Sequence, residues 1–153
     1  MTRRNRTKKE QTLLLESLKT ADGVVKAYFT LITKKDLDSL LELFDDEAVI
    51  YEPFSNVEDG LQGKTAIENF LKVAFMANAG LHRETEFERI TDDEAIALIT
   101  FERGGFVKAR FSFRLVKEEE DYISNKMATA RTAPMAAAAG QKKRIKELKI
   151  QFL

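Results

Sequence analysis

The chain has 153 residues, 44% of them apolar, with 25 basic and 25 acidic side chains, one histidine and no cysteine. That length fits one domain with a core and room for a pocket, and the balanced charge excludes a global field that would draw the protein onto nucleic acid or a membrane. With no cysteine and a charged rather than apolar start, neither a disulfide framework nor a secretory signal is expected. No apolar run approaches the about 20 residues that span a bilayer, so the default expectation is a soluble, cytoplasmic protein.

Residues 1–20 read as a basic tail, with Arg3, Arg4, Arg6, Lys8 and Lys9, followed by Leu14, Leu15 and Leu18 at helical spacing. Those leucines form either a short leading helix or an extension of the next one. The domain proper is expected over 21–153. Asp22 is the expected N-cap of a first principal helix, in which Val24, Val25, Tyr28, Leu31 and Ile32 fall on one face. Lys34 and Lys35 interrupt it, and Asp36 caps a second helix carrying Leu37, Leu40, Leu41 and Phe44. Asp45, Asp46 and Glu47 read as a polar turn. Ala48, Val49, Ile50 and Tyr51 then favour a strand that stops at Pro53 and ends on Glu52.

Gly60 and Gly63 bracket a loop, after which Ile67, Phe70, Leu71, Ala74 and Phe75 share the face of a third helix. Beyond Gly80 the period changes. His82 to Ile90 and Ala95 to Glu102 read as strands, with a tight reversal at Arg103, Gly104 and Gly105. Val107, Ala109, Phe111, Phe113 and Leu115 alternate with Lys108, Arg110, Ser112 and Arg114, and Leu148, Ile150 and Phe152 repeat the device in a last strand. The stretch from about 117 to 143 has a charged run and four consecutive alanines but no strand period. It is expected as a long loop insertion, either a solvated flap or a pocket lid. Helices first and strands afterwards predict an α+β domain.

The run from Tyr28 to Phe54, YFTLITKKDLDSLLELFDDEAVIYEPF, resembles the cone-shaped α+β family of nuclear transport factor 2, ketosteroid isomerase and the SnoaL-like cyclases. The likeness to ketosteroid isomerase resumes through Gly63 to Phe70, Val107 to Leu115 and Ile145 to Phe152. It implies a cystatin-like, curved antiparallel sheet wrapped around three helices. It also implies a tyrosine on the first principal helix that donates to a carbonyl oxygen, at Tyr28, and a proton-moving acid at the end of the first strand, at Glu52, where the family carries aspartate. A third group, a protonated acid sharing the oxyanion, falls at Phe111, which cannot donate. The resemblance further implies a homodimer through the outer sheet face.

Glu52 and Tyr28 are therefore the candidate catalytic pair. A carboxylate in an apolar cavity loses water and becomes a stronger base; the competing reading turns Glu52 to solvent, and an aromatic on an apolar helix face is equally a core residue. The expected pocket lining is Ile50, Phe54, Phe70, Leu98, Thr100, Glu102, Ala109, Phe111, Phe113, Leu148, Ile150 and Phe152. In this arrangement Glu102 sits opposite Val107 and Thr100 opposite Ala109 across the Gly104-Gly105 reversal, as a second mouth acid or as a solvated hairpin end. Ile99, Phe101 and Phe106 then fall on the outer face as a contact surface.

A single histidine, His82, excludes an imidazole-based metal site, and no phosphate-binding or nucleophile-elbow motif occurs. No cofactor is expected. The expected function is binding of a small apolar ligand, with proton transfer on a carbonyl compound as isomerisation or cyclisation. The alternative is a non-enzymatic ligand-binding or protein-interaction module of the same fold.

Overall fold

The computed structural model describes residues 16–55, 57–79, 81–102, 104–117 and 142–153. The basic tail, most of the leading helix and most of the insertion at about 117–143 lie outside the described residues. The elements run α1 (Ala21–Lys34), α2 (Leu37–Leu43), β1 (Phe44–Tyr51), β2 (Leu61–Gln62), α3 (Lys64–Ala77), β3 (His82–Ile90), β4 (Glu94–Glu102), β5 (Phe106–Lys117) and β6 (Lys143–Phe152).

The cap of helix α1 lies two residues before the expected one. Thr20, in extended conformation, accepts the Gly23 N–H at 3.2 Å, and Asp22 sits inside the first turn. Nine of its fourteen residues are buried, so α1 is enclosed on most of its circumference and forms the axis of the core. It ends at Lys35 in the left-handed region, with the Lys35 N–H on the Ile32 carbonyl. Asp36 then caps α2 by accepting the Ser39 N–H at 3.2 Å. Helix α3 differs. Only Ile67 and Leu71 are buried in it, and Val73 and Met76 are 64% and 76% exposed, so much of its apolar surface has no packed partner.

The six strands form one sheet in the order β2-β1-β6-β5-β4-β3. The expected antiparallel sheet is in fact mixed, because β1 runs parallel to β6. A parallel neighbour requires a long crossover, and everything from β2 to β5 lies between these two strands in the chain. Asp45, Asp46 and Glu47 form no turn: β1 begins at Phe44, and the irregularity between Phe44 and Val49 absorbs them.

The hairpin between β4 and β5 corrects a second expectation. Its connection is three residues, with Gly104 at φ 67°, and it pairs Glu102 with Phe106, Thr100 with Lys108 and Ile99 with Ala109. A one-residue slip moves every side chain of a strand to the other face. Ala95, Ala97, Ile99 and Phe101 therefore face the helices, and Leu98, Thr100 and Glu102 face outward. Alternation along β5 and β6 keeps Ala109, Phe111, Phe113, Leu115, Leu148 and Ile150 inside, all of them buried or half-buried. The core closes on Tyr28, whose ring makes edge contacts with Phe29, Phe44 and Phe113 at centroid distances of 5.0, 6.3 and 5.5 Å.

Candidate functional site

One end of the core is open. Between α1, α3 and the concave face of the sheet lies a cavity of about 860 Å³, within the range that holds a drug-sized molecule. Its apolar wall comes from Phe29 and Ile32 on α1, Phe70, Val73 and Ala74 on α3, Phe101 on β4, Val107 and Phe111 on β5, and Ile150 and Phe152 on β6. The polar side chains in the wall are Tyr28, Glu52, Ser55, Asn69 and Asn78. At the mouth, Phe54 is 75% exposed and packs edge-on against Phe152 at 5.4 Å.

Tyr28 and Glu52 reach this cavity from different elements. Tyr28 is fixed by the aromatic cluster and is only 2% exposed. Burial pushes its phenol above the ordinary tyrosine range, and the Arg83 guanidinium pulls it partly back. Glu52 follows β1 with the same parity as the buried Ala48 and Ile50. Its carboxylate is occupied in a way the spacing did not reveal: Oε2 accepts the Phe54 N–H at 2.8 Å and Oε1 the Ser55 N–H at 3.1 Å. The acid thus organises the loop beyond Pro53 while bordering the cavity. A carboxylate offers about four lone-pair sites, so acceptor capacity remains.

Of the expected lining residues, Phe54, Phe70, Phe111, Ile150 and Phe152 border the cavity. Ile50, Ala109, Phe113 and Leu148 also face inward but lie in the closed core, each at most 1% exposed. Leu98, Thr100 and Glu102 are not on the cavity, because the hairpin register turns them to the outer face. Phe101, which the shifted register had assigned outside, lines it.

Arg83 had no signal as a site residue beyond its place next to His82. It pairs in register with Phe101 and so faces the concave side. Its Nη1 donates to Asn78 Oδ1 at 2.9 Å, and its Nη2 donates to the Phe29 carbonyl at 3.0 Å and to Thr33 Oγ1 at 2.6 Å. The guanidinium lies 5.1 Å from the Phe29 ring centroid. His82 is exposed, with Nε2 at 3.8 Å from Glu84. Among the described residues no cluster of three or more metal-ligating side chains occurs, and no helix is long and apolar enough to cross a membrane.

A curved mixed sheet around three helices, open at one end over an apolar cavity, defines the cone-shaped, cystatin-like fold of the nuclear transport factor 2-like superfamily. Within it, residues 25–138 match the SnoaL-like domain, and the chain belongs to that family. No curated protein matches the sequence. Solved structures do. A cystatin-like protein of unknown function from Nostoc punctiforme has a TM-score of 0.57 at 12% identity, covering 98% of this chain and 96% of its own. The epoxide hydrolase/cyclase-like enzyme SalBIII, of pyran ring formation in salinomycin, gives 0.56 at 13%, covering 86% and 89%. A putative polyketide cyclase from Sinorhizobium meliloti gives 0.50 at 21%, covering 88% and 98%. At these identities the likeness is one of fold.

Proposed function

We propose that the cavity binds an apolar carbonyl compound and that Glu52 and Tyr28 move a proton on it, giving isomerisation or cyclisation. One observation carries this reading: the only tyrosine on α1 and the acid beyond β1 border the same apolar cavity. Glu52 then removes a proton from carbon, and the Tyr28 hydroxyl donates to the oxygen on which charge develops. The cyclase descriptions of two structural neighbours support the cyclisation part of this reading. A second reading, ligand binding or protein interaction without turnover, is favoured by Phe111 in place of a second donor and by the loop-capping role of Glu52. Loss of one oxyanion donor typically costs about 10²–10³ in rate.

A thermal-shift screen of hydrophobic ketones and lactones tests the binding. A ligand at about 100 times its Kd adds about 2.7 kcal/mol, which for this size raises Tm by roughly 5–11 °C. If no member of the screen shifts the transition, the small-molecule reading is wrong. A shift without any turnover selects the second reading.

The protein partner in this proposal is a second copy of the chain, docked through the outer sheet face. Glu84, Glu86 and Glu88 on β3 and Lys108, Arg110 and Arg114 on β5 flank Ile96, Leu98 and Thr100 on β4. A two-fold axis parallel to β4 sets the acidic row of one copy over the basic row of the other, and the contact is isologous. Light scattering is expected to give twice the 17.4 kDa chain mass, and Lys108→Glu with Arg110→Glu is expected to halve it. A monomeric wild type at about 100 µM, ample for a standard-size interface, removes the dimer.

A further inference from the structure

Arg83 is a half-buried cation with no counter-charge among the described residues. Its three hydrogen bonds go to two neutral side-chain oxygens and a carbonyl, and no carboxylate pairs with it among the described residues. Arginines on the opposite, outer face of the sheet do have acids: Arg110 has Glu88 at 3.0 Å and Arg114 has Glu147 at 3.6 Å. A charge held out of water without a partner is costly. Arg83 stands just behind the cavity wall, since Phe29 and Asn78, which it holds, both line the cavity. Tyr28 is the cavity residue on which its charge acts.

The sheet order sets the polarity of the whole cavity. Glu52 leaves β1 and Arg83 lies on β3, with β6, β5 and β4 between them, about 19 Å along the sheet at the usual strand spacing before curvature. The cavity therefore has an acid on one flank and, behind the wall of the other, a cation with no carboxylate partner among the described residues, with Tyr28 reaching in from α1. We propose that Arg83 is a positioning residue that makes the Tyr28 side of the cavity select an oxyanion. The ligand class is then an apolar compound whose oxygen carries or develops negative charge, turned toward β3 and away from Glu52. This rests on the cavity being a small-molecule site. It also gives the chain a source of oxyanion support that does not depend on the position occupied by Phe111.

A matched pair of probes tests the inference, 2-naphthoate and 2-naphthamide, with affinities measured by calorimetry at pH 7. The wild type is expected to prefer the carboxylate by about tenfold, a modest fraction of the Coulomb term for a partly buried pair. Arg83→Gln is expected to bring the two affinities within about threefold of each other, and Arg83→Lys to keep most of the preference. Because Arg83 also ties α1 and α3 to β3, Thr85→Glu provides a variant that leaves its hydrogen bonds intact. Thr85, itself exposed, is the next position on the Arg83 side of β3, and a carboxylate there supplies a counter-charge, so the same loss of preference is expected. Naphthamide binding as tightly as naphthoate to the wild type leaves the cavity reading in place and overturns the role of Arg83. A preference that survives both Arg83→Gln and Thr85→Glu overturns it too, and failure of both probes to bind removes the site along with the inference.

Discussion

Glu52→Gln is expected to lower turnover of an enolisable carbonyl ligand by about 10²–10⁴-fold, the usual contribution of a positioned general base, while ligand affinity changes little. The amide keeps the volume of the acid but cannot take up a proton. It also presents an NH₂ group to one of the two backbone donors that the carboxylate now serves, Phe54 N–H at 2.8 Å and Ser55 N–H at 3.1 Å, so the loop at the mouth loses about 1 kcal/mol of hydrogen bonding. Glu52→Asp separates the two effects: it retains the charge at the expense of reach. A general base predicts substantial activity in the aspartate variant and almost none in the glutamine variant. If the two variants instead turn over ligand as fast as the wild type, Glu52 is only the cap of its loop.

Phe113→Ala is expected to destabilise the protein by about 3–5 kcal/mol. Phe113 is 1% exposed and stands at the crossing of Tyr28, Phe29 and Phe111, with ring centroids at 5.5, 6.3 and 6.4 Å. Truncation leaves a void under Tyr28 that neighbours on a sheet and a central helix cannot collapse to fill. Against a typical total of 5–15 kcal/mol this is a large share, and it corresponds to a fall in Tm of roughly 6–20 °C. Urea denaturation with an unchanged m-value measures it. A loss below about 1 kcal/mol contradicts the packing described for this cluster.

The fold was legible because the amphipathic periods were clean. Helix α1 from Val24 to Ile32, the alternation from Val107 to Leu115, and the Asp36 cap all follow from local patterns that the tertiary structure reinforces. Two errors came from information that is not local. The parallel pairing of β1 with β6 depends on which strands meet after the chain has crossed over, and no residue near Val49 or Glu147 encodes it. The register of β4 turned on whether two or three residues form the reversal, and that single position moved Leu98, Thr100 and Glu102 out of the cavity and Phe101 into it. At the candidate site, Tyr28 and Glu52, which both border the cavity, were singled out through a resemblance in spacing. Arg83 was not, because an arginine on a polar strand looks like every other surface cation until the register shows which way it faces.

The place of β6 in the sheet has a consequence for how the molecule is assembled. It lies between β1 and β5, so until it inserts, the β1–β2 ribbon and the β3–β4–β5 ribbon are not paired with each other. The pairing of β6 with β1 spans about a hundred positions of chain, and such long-range contacts slow folding. The last strand of the domain is therefore the keystone of its sheet, and before it docks the half-built cone leaves open edges and apolar faces to which other chains can adhere.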